Sequence, residues 1–348
     1  MNDADVEALL GEVEDPELGD DIVSLGIVND VTVEDGVAHV SLALGTPYSP
    51  AESAIADRVR ETLRAHDVEP DLSAYHPEQD GGTADDVLPN VKNVVAVASG
   101  KGGVGKSTVA VNLASALADR GARVGLFDAD VYGPNVPRMV SAEEAPQATE
   151  DETLVPPEKY GVKLMSMAFL TGEDDPVIWR GPMVHKVLTQ LVEDVEWGYL
   201  DYLIVDLPPG TGDTQLTVLQ TMPVTGAVVV TTPQDVALDD ARRGLEMFGT
   251  HDTPVLGIVE NMSAFVCPDC GSTHDVFGEG GGEALAEESG LPFLGSVPLD
   301  PSVRAGGDRG APVALDDESE VGASFRDVAA NAADMAGVLN RRGLADES

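Results

Sequence analysis

From residue 91 onward, short apolar runs alternate with longer amphipathic stretches, the pattern of a mostly parallel sheet covered by helices on both faces. The runs predict strands near residues 93–98, 123–128, 162–168, 202–206, 226–232 and 254–260. The stretches between and after them predict helices near 109–117, 182–195, 213–222, 235–248, 281–289 and 323–341. Residues 1–80 read as a smaller α/β unit: a helix over Val6 to Val13, a strand over Val28 to Val33, a hairpin turn at Asp35-Gly36, a strand over Ala38 to Leu44 and a helix over Ala51 to His66. Gln79 to Asp86 is polar, acidic and glycine-containing, which marks a linker. The expected organisation is therefore a small α/β domain over 1–80, an acidic linker over 81–91, a doubly wound α/β domain over 92–342 and a tail over 343–348. Ser141 to Glu158, acidic and carrying Pro146, Pro156 and Pro157, is expected to form an irregular surface excursion.

Composition changes this picture in one respect. The 348 residues carry 62 acidic side chains against 20 basic ones, only six of them Lys, for a net charge of −42. The hydrophobic content of 43% and the periodic apolar runs exclude a disordered polyanion. A folded protein suited to molar salt fits better, because there the repulsion between surface carboxylates is screened over about 3 Å. The expected host is halophilic. Such a surface disfavours nucleic acid and anionic lipid as partners, since both call for clustered Lys and Arg. The chain begins with neither a basic nor an apolar segment, and no run approaches the ~18 apolar residues of a membrane span. A cytoplasmic protein without membrane contact is expected.

The candidate chemistry begins at Ser99. Residues 99–108 read Ser-Gly-Lys-Gly-Gly-Val-Gly-Lys-Ser-Thr, which contains Gly100, four residues, then Gly105-Lys106-Ser107. In this pattern the glycines Gly100, Gly102, Gly103 and Gly105, with Val104 and Thr108, let successive N–H groups turn toward a triphosphate. Lys106 reaches the β and γ phosphates, Ser107 binds Mg²⁺, and the following helix presents its positive end. The preceding run Asn93 to Ala98 and the helix from Val109 to Leu117 place the loop between strand and helix, as the motif requires. ATP with Mg²⁺ is the expected ligand.

Lys101 is a second lysine in a loop that already has one for its own phosphates. Lys-Gly-Gly-Val-Gly-Lys-Ser-Thr resembles the deviant Walker A ATPases, the MinD, ParA and nitrogenase iron-protein group. That resemblance implies a homodimer in which Lys101 crosses to the partner's nucleotide. It also implies that Asp128-Ala129-Asp130, at the end of an apolar strand, is the first switch, with Asp130 orienting the attacking water and Asp128 near the metal. Tyr202 to Asp206 is a second apolar run ending in a carboxylate, followed by Leu-Pro-Pro-Gly-Thr-Gly-Asp. Asp206 is the natural Mg²⁺ partner there. Together with Asp-Ala-Asp-Val-Tyr-Gly-Pro-Asn and Trp179-Arg180-Gly181-Pro182-Met183, these segments make residues 92–342 similar to the Mrp (ApbC-like) ATPase family. The resemblance further places Asn261, Pro298 and Asp300 around the base of the nucleotide. A structural role at a strand end is the other reading of Asn261.

The only two cysteines are Cys267 and Cys270, in Cys-Pro-Asp-Cys-Gly. Two thiolates three residues apart can share one metal but leave a four-coordinate site half filled, so a second chain would complete it. Cys₄ built this way suits a [4Fe–4S] cluster or Zn²⁺. Half of a zinc knuckle with His274 as a ligand, or a redox dithiol, are the alternatives. The family resemblance selects the cluster, and with it an ATP-dependent carrier that passes a [4Fe–4S] cluster to apo iron–sulfur proteins, working with assembly factors and hydrolysing ATP slowly as a switch.

Asp15-Pro16-Glu17 and Asp21 to Val28 resemble the MIP18-type (DUF59) domain of iron–sulfur assembly proteins, which commonly carries a cysteine after its second strand. Here Gly45-Thr46-Pro47-Tyr48-Ser49-Pro50 puts Ser49 at that position, so the domain is expected to dock or assist rather than use a thiol. His185 and His251 have no partner that spacing identifies and are expected at the surface or in packing.

Overall fold

The computed structural model describes residues 2–34, 36–74, 87–142, 144–150, 153–170, 181–267 and 270–347. The linker up to residue 86, Trp179-Arg180, and Pro268-Asp269 between the cysteines lie outside the described residues. The chain divides into two compact units, residues 1–82 with 333–348, and residues 83–332. The division differs from the sequence boundaries at the C-terminus, where residues 333–342 group with the first unit rather than with the large domain.

In the first unit, α1 (Asp3–Leu10) opens on a reciprocal cap. The Asn2 side chain accepts from the Asp5 N–H at 2.9 Å while the Asp5 carboxylate accepts from Asn2 N–H at 3.0 Å, which starts the helix three residues before the expected Val6. β1 (Val28–Glu34) and β2 (Val37–Leu42) form an antiparallel pair with Val31 opposite Val40. α2 (Pro50–Ala65) follows, with Ser49 as its cap and Pro50 in its first turn. β3 (Glu69–Ala74) then returns parallel to β2. This strand escaped the sequence reading because it is a half-exposed edge strand with a polar sequence containing Pro70, a residue an edge tolerates. Val6, Leu10, Ile27, Val40, Leu42, Ile55, Val59 and Leu63 bury one face of the sheet against the two helices. Each such buried aliphatic contributes about 1.5–3 kcal/mol.

The second unit begins with β4 (Val91–Ala98), buried along almost its whole length, which is why it reads as an unbroken apolar run. α3 (Lys106–Asp119) and β5 (Val124–Asp128) follow. α4 (Val136–Met139) is a single turn, and the described residues of the acidic excursion form the short pair β6 (Gln147–Ala148) and β7 (Leu154–Val155), then enter β8 (Glu158–Lys159). β9 (Val162–Ser166), α5 (Gly181–Glu193), β10 (Leu200–Asp206), α6 (Asp213–Thr221), β11 (Gly226–Thr231) and α7 (Asp235–Thr250) continue the alternation. After them come β12 (Val255–Val266), β13 (Thr273–His274), α8 (Gly281–Ser289), β14 (Phe293–Leu299), α9 (Pro301–Arg309) and α10 (Glu320–Glu347).

The sheet order is β13-β12-β11-β4-β10-β5-β9-β8, with β14 paired to β12. Every pair is parallel except β8/β9 and β12/β13. The expected doubly wound α/β fold is the one found. β14 and α9 were not expected, because Gly295 and Pro298 interrupt the strand pattern and Gly306-Gly307 the helix pattern. β4 has β10 on one side and β11 on the other, so the chain winds away from it in both directions. In such sheets the crevice at the carboxyl ends of the strands is where ligands bind. At the opposite, amino edge, Asp201 collects Lys92 at 2.6 Å and the Arg123 guanidinium at 3.0 Å, and accepts the Arg123 N–H at 2.9 Å.

Candidate functional site

The loop between β4 and α3 lines a cavity of about 310 Å³ at the carboxyl edge of the sheet. Ser99, Lys101, Gly102, Gly103 and Gly105 to Thr108 form one wall, and Asp130, Gly133, Asn135 and Pro209 come from the loops after β5 and β10. Two glycines are fixed by their surroundings. A Cβ on Gly100 would stand 2.2 Å from the Asp240 backbone of α7. Gly105 has φ +86° at the start of α3, and a Cβ there would meet the Asn261 amide. The loop is thus pressed against its own unit while its N–H groups remain available to a ligand.

Lys106 is nearly buried and its ammonium lies 2.5 Å from Asp206 Oδ1, 3.4 Å from Ser107 Oγ and 4.0 Å from Asp130 Oδ2. Asp206 is fully buried at the end of β10. Burial pushes its carboxyl up from the ordinary range, and Lys106 opposes that shift. Its second oxygen, Oδ2, is buried without a hydrogen-bond partner among the described residues. Such an atom is costly unless something meets it. With the Ser107 hydroxyl beside Lys106, this donor set fits Mg²⁺, and the cradle of N–H groups with Lys106 fits the phosphates of a nucleotide.

Asp130 lies on the same cavity. Its Oδ1 accepts from Tyr132 N–H at 3.1 Å and Gly133 N–H at 3.2 Å, which leaves Oδ2 toward Lys106. Asp128 stands level with Asp206 across the β5/β10 pair. Its Oδ1 accepts from Asp130 N–H at 3.2 Å, and its Oδ2 from Val136 N–H at 3.1 Å and Ser166 Oγ at 2.9 Å. Both oxygens are thereby occupied in shaping the Asp130 to Asn135 loop. Burial, and then the neighbouring Asp206, push the Asp128 carboxyl up to about 7.

Asn261 Nδ2 donates to the Val104 carbonyl at 2.8 Å, which ties this side chain to the phosphate loop. Pro298 is the last residue but one of β14, and Asp300 caps α9 by accepting from Ser302 N–H at 2.6 Å. Lys101 is partly exposed on the rim, and no ion pair among the described residues involves it. Asn135 and Pro209 belong to the motif segments singled out in the sequence, whereas Ser166 escaped it. Ser166 sits at the carboxyl end of β9, which is the signal that points to it.

The cysteines lie apart from this cavity in sequence and on a hairpin of their own. β12 and β13 pair with Phe265 opposite His274, and the turn between them carries Cys267 and Cys270. Cys267 N–H donates to the Ser272 carbonyl at 2.9 Å and Gly271 N–H to the Cys267 carbonyl at 2.8 Å, which folds the turn back on itself. Cys270 is exposed, with its sulfur 3.3 Å from the Ser272 hydroxyl, and that contact holds its thiol below the usual range. His274 stacks on Phe265, with ring centroids 6.4 Å apart. Among the described residues no three His, Cys, Asp or Glu side chains gather as a metal site. No described helix is long and apolar enough to cross a membrane.

The model of the NUBPL iron-transfer P-loop NTPase family matches residues 90–333, and that of an iron–sulfur cluster assembly protein matches residues 3–70. The chain belongs to the NUBPL iron-transfer P-loop NTPase family. A relative named iron–sulfur cluster carrier protein, from Deinococcus radiodurans, is 49% identical over 347 residues, 99% of this chain and 98% of that protein. Among solved structures, the nucleotide-binding protein of Archaeoglobus fulgidus in complex with ADP is 38% identical, with a TM-score of 0.58, over 64% of this chain and 88% of that one. The cell division ATPase MinD of Pyrococcus furiosus is 22% identical with a TM-score of 0.54, over 69% of this chain and 97% of that one, and shares the fold. The likeness to the Mrp and MinD/ParA ATPases stated from the sequence, and the MIP18-type first domain, agree with these matches.

Proposed function

We propose that this NUBPL-family NTPase is an ATP-dependent carrier that holds a [4Fe–4S] cluster between two copies of the chain and delivers it to apo-proteins in the cytoplasm. One observation carries the reading: a complete phosphate cradle and a hairpin with two free thiols occur in the same unit, and the thiols are too few for a metal site by themselves. Cys267 and Cys270 from each of two copies make the four thiolates a cluster takes. The relatives named as cluster carriers support the choice of cargo.

ATP with Mg²⁺, when bound, supplies the phosphoryl chemistry of a switch. Lys106 and the N–H groups of Gly102 to Thr108 hold the phosphates, while Ser107 and Asp206 hold the metal. Asp130 orients water through its Oδ2. Lys101, which forms no ion pair among the described residues, reaches the nucleotide of the second copy, so nucleotide state and dimer geometry are linked. Hydrolysis is slow because its role is to change shape rather than to turn over substrate.

Anaerobic reconstitution with iron and sulfide tests the reading. The wild-type chain takes up about four iron atoms per dimer with a broad absorption band near ~400 nm. Changing Cys267 and Cys270 together to Ala abolishes both signals and leaves ATP binding in place. Stoichiometric zinc in the purified protein, or a cluster that survives the double substitution, contradicts it.

A further inference from the structure

The first unit contains a buried ionic cluster that the nucleotide and cluster chemistry do not use. Arg341, fully buried on the part of α10 that belongs to this unit, directs its Nε to Asp15 Oδ2 at 2.6 Å and its Nη1 to Glu52 Oε1 at 3.5 Å. Asp15 comes from the Asp-Pro-Glu segment. Its other oxygen accepts from the N–H groups of Glu17 at 2.8 Å and Leu18 at 3.0 Å, so the carboxylate is held rigidly. Glu52, also buried, accepts from the Thr46 N–H with both oxygens, at 3.1 and 3.0 Å.

The loop that makes this pocket is Gly45 to Ser49, where the sequence reading placed Ser49 in the position of a family thiol. Ser49 is fully buried and its Oγ caps α2 by accepting from Glu52 N–H at 3.2 Å. The backbone of α10 approaches so closely that a Cβ on Gly337 would lie 2.5 Å from Thr46 Oγ1 and 2.6 Å from Arg341 Nη1. Two carboxylates face one guanidinium, and burial pushes the Glu52 carboxyl up despite the Thr46 and Arg341 contacts. Buried charges of this kind are stable only while paired.

We propose that this is a guanidinium pocket, built by Asp15, Thr46 and Glu52, whose ligand is Arg341 of the chain's own C-terminal helix. The pocket latches residues 333–347 over the Gly45 to Ser49 loop. The Asp15 and Glu52 carboxylates are therefore filled in cis, and a partner that brings its own guanidinium to them displaces Arg341 and the C-terminal segment. The planar fork of Arg341, rather than its charge alone, carries the recognition, because Nε and Nη1 address two different carboxylates.

Hydrogen exchange of the full chain at fixed salt tests this. Arg341→Ala raises exchange at least tenfold in residues 44–55 and 335–345, and millimolar methylguanidinium chloride restores protection while methylammonium chloride at the same concentration does not. Arg341→Lys keeps the charge and loses the fork, and it raises exchange in the same two segments by several-fold. Should Arg341→Ala fail to fold, the lysine variant decides. Wild-type protection in either variant, or equal rescue by both cations, overturns the proposal.

Discussion

Lys106 and Asp206 hold each other across the floor of the cavity, Nζ to Oδ1 at 2.5 Å, with both side chains almost free of solvent contact. The phosphate loop and the end of β10 are joined by this pair, so the lysine serves the fold as well as the ligand. Changing Lys106 to Ala is expected to lower ATP affinity about ten- to a hundredfold, the worth of a charge-assisted contact. The same change strands the Asp206 carboxylate and is expected to cost about 3 kcal/mol of stability. Adding Asp206→Asn should restore much of the stability and none of the affinity, as measured by denaturant unfolding and calorimetric titration with MgATP.

Lys101 should behave differently. Its side chain reaches the cavity rim and forms no ion pair among the described residues, so Lys101→Ala leaves the folded monomer and its ATP binding nearly unchanged. Hydrolysis and ATP-dependent dimerisation fall, as sedimentation and phosphate release would record. Equal losses of binding in the Lys101 and Lys106 variants contradict a role across two copies.

Asp130→Asn keeps the turn that Tyr132 and Gly133 make with Oδ1 but removes the charge facing Lys106. MgATP binding is expected to persist while hydrolysis slows about a hundredfold. Asp128→Asn, by contrast, disturbs the loop itself, because an amide nitrogen cannot accept from Val136 N–H. Its effect should appear as lost order in residues 130–136 rather than as a clean loss of rate.

At the amino edge of the sheet, burial pushes the Asp201 carboxyl up, but the hydrogen bonds and charges of Arg123 and Lys92 outweigh it and hold it at about 2. A carboxylate depressed in the folded state stabilises above its unfolded value of 3.8 and loses that contribution as pH falls toward 2. Asp201→Asn is thus expected to cost about 2 kcal/mol at neutral pH, with the difference from wild type shrinking as pH falls from about 4 and vanishing only below about pH 2. Unfolding measured across that window checks it.

The sheet and the phosphate loop were legible because both are local. An unbroken apolar run marks a strand buried on two faces, and Gly100 to Ser107 carries its chemistry in its own spacing. What escaped depends on partners distant in sequence. Nothing near Asn261 announces that its amide meets Val104, nor does anything near Asp128 announce Ser166. Arg341 closes the helix expected over 323–341, and nothing near it announces carboxylates more than 280 residues away. That pairing also changes what a truncation does: a chain lacking residues 1–85 leaves Arg341 without Asp15 and Glu52, and residues 333–348 must be removed with them. The edge strands β3 and β14 were hidden for another reason, since proline and polar residues are tolerated where one side of a strand has no neighbour.

The central claim, a cluster shared by two copies through Cys267 and Cys270, is tested most directly by native mass spectrometry of the anaerobically reconstituted protein. The account predicts a dimer heavier than two apo chains by the mass of one [4Fe–4S] cluster, which collapses to apo monomer when both cysteines are changed to Ala. A monomer that retains the cluster, or a dimer carrying zinc in its place, contradicts it.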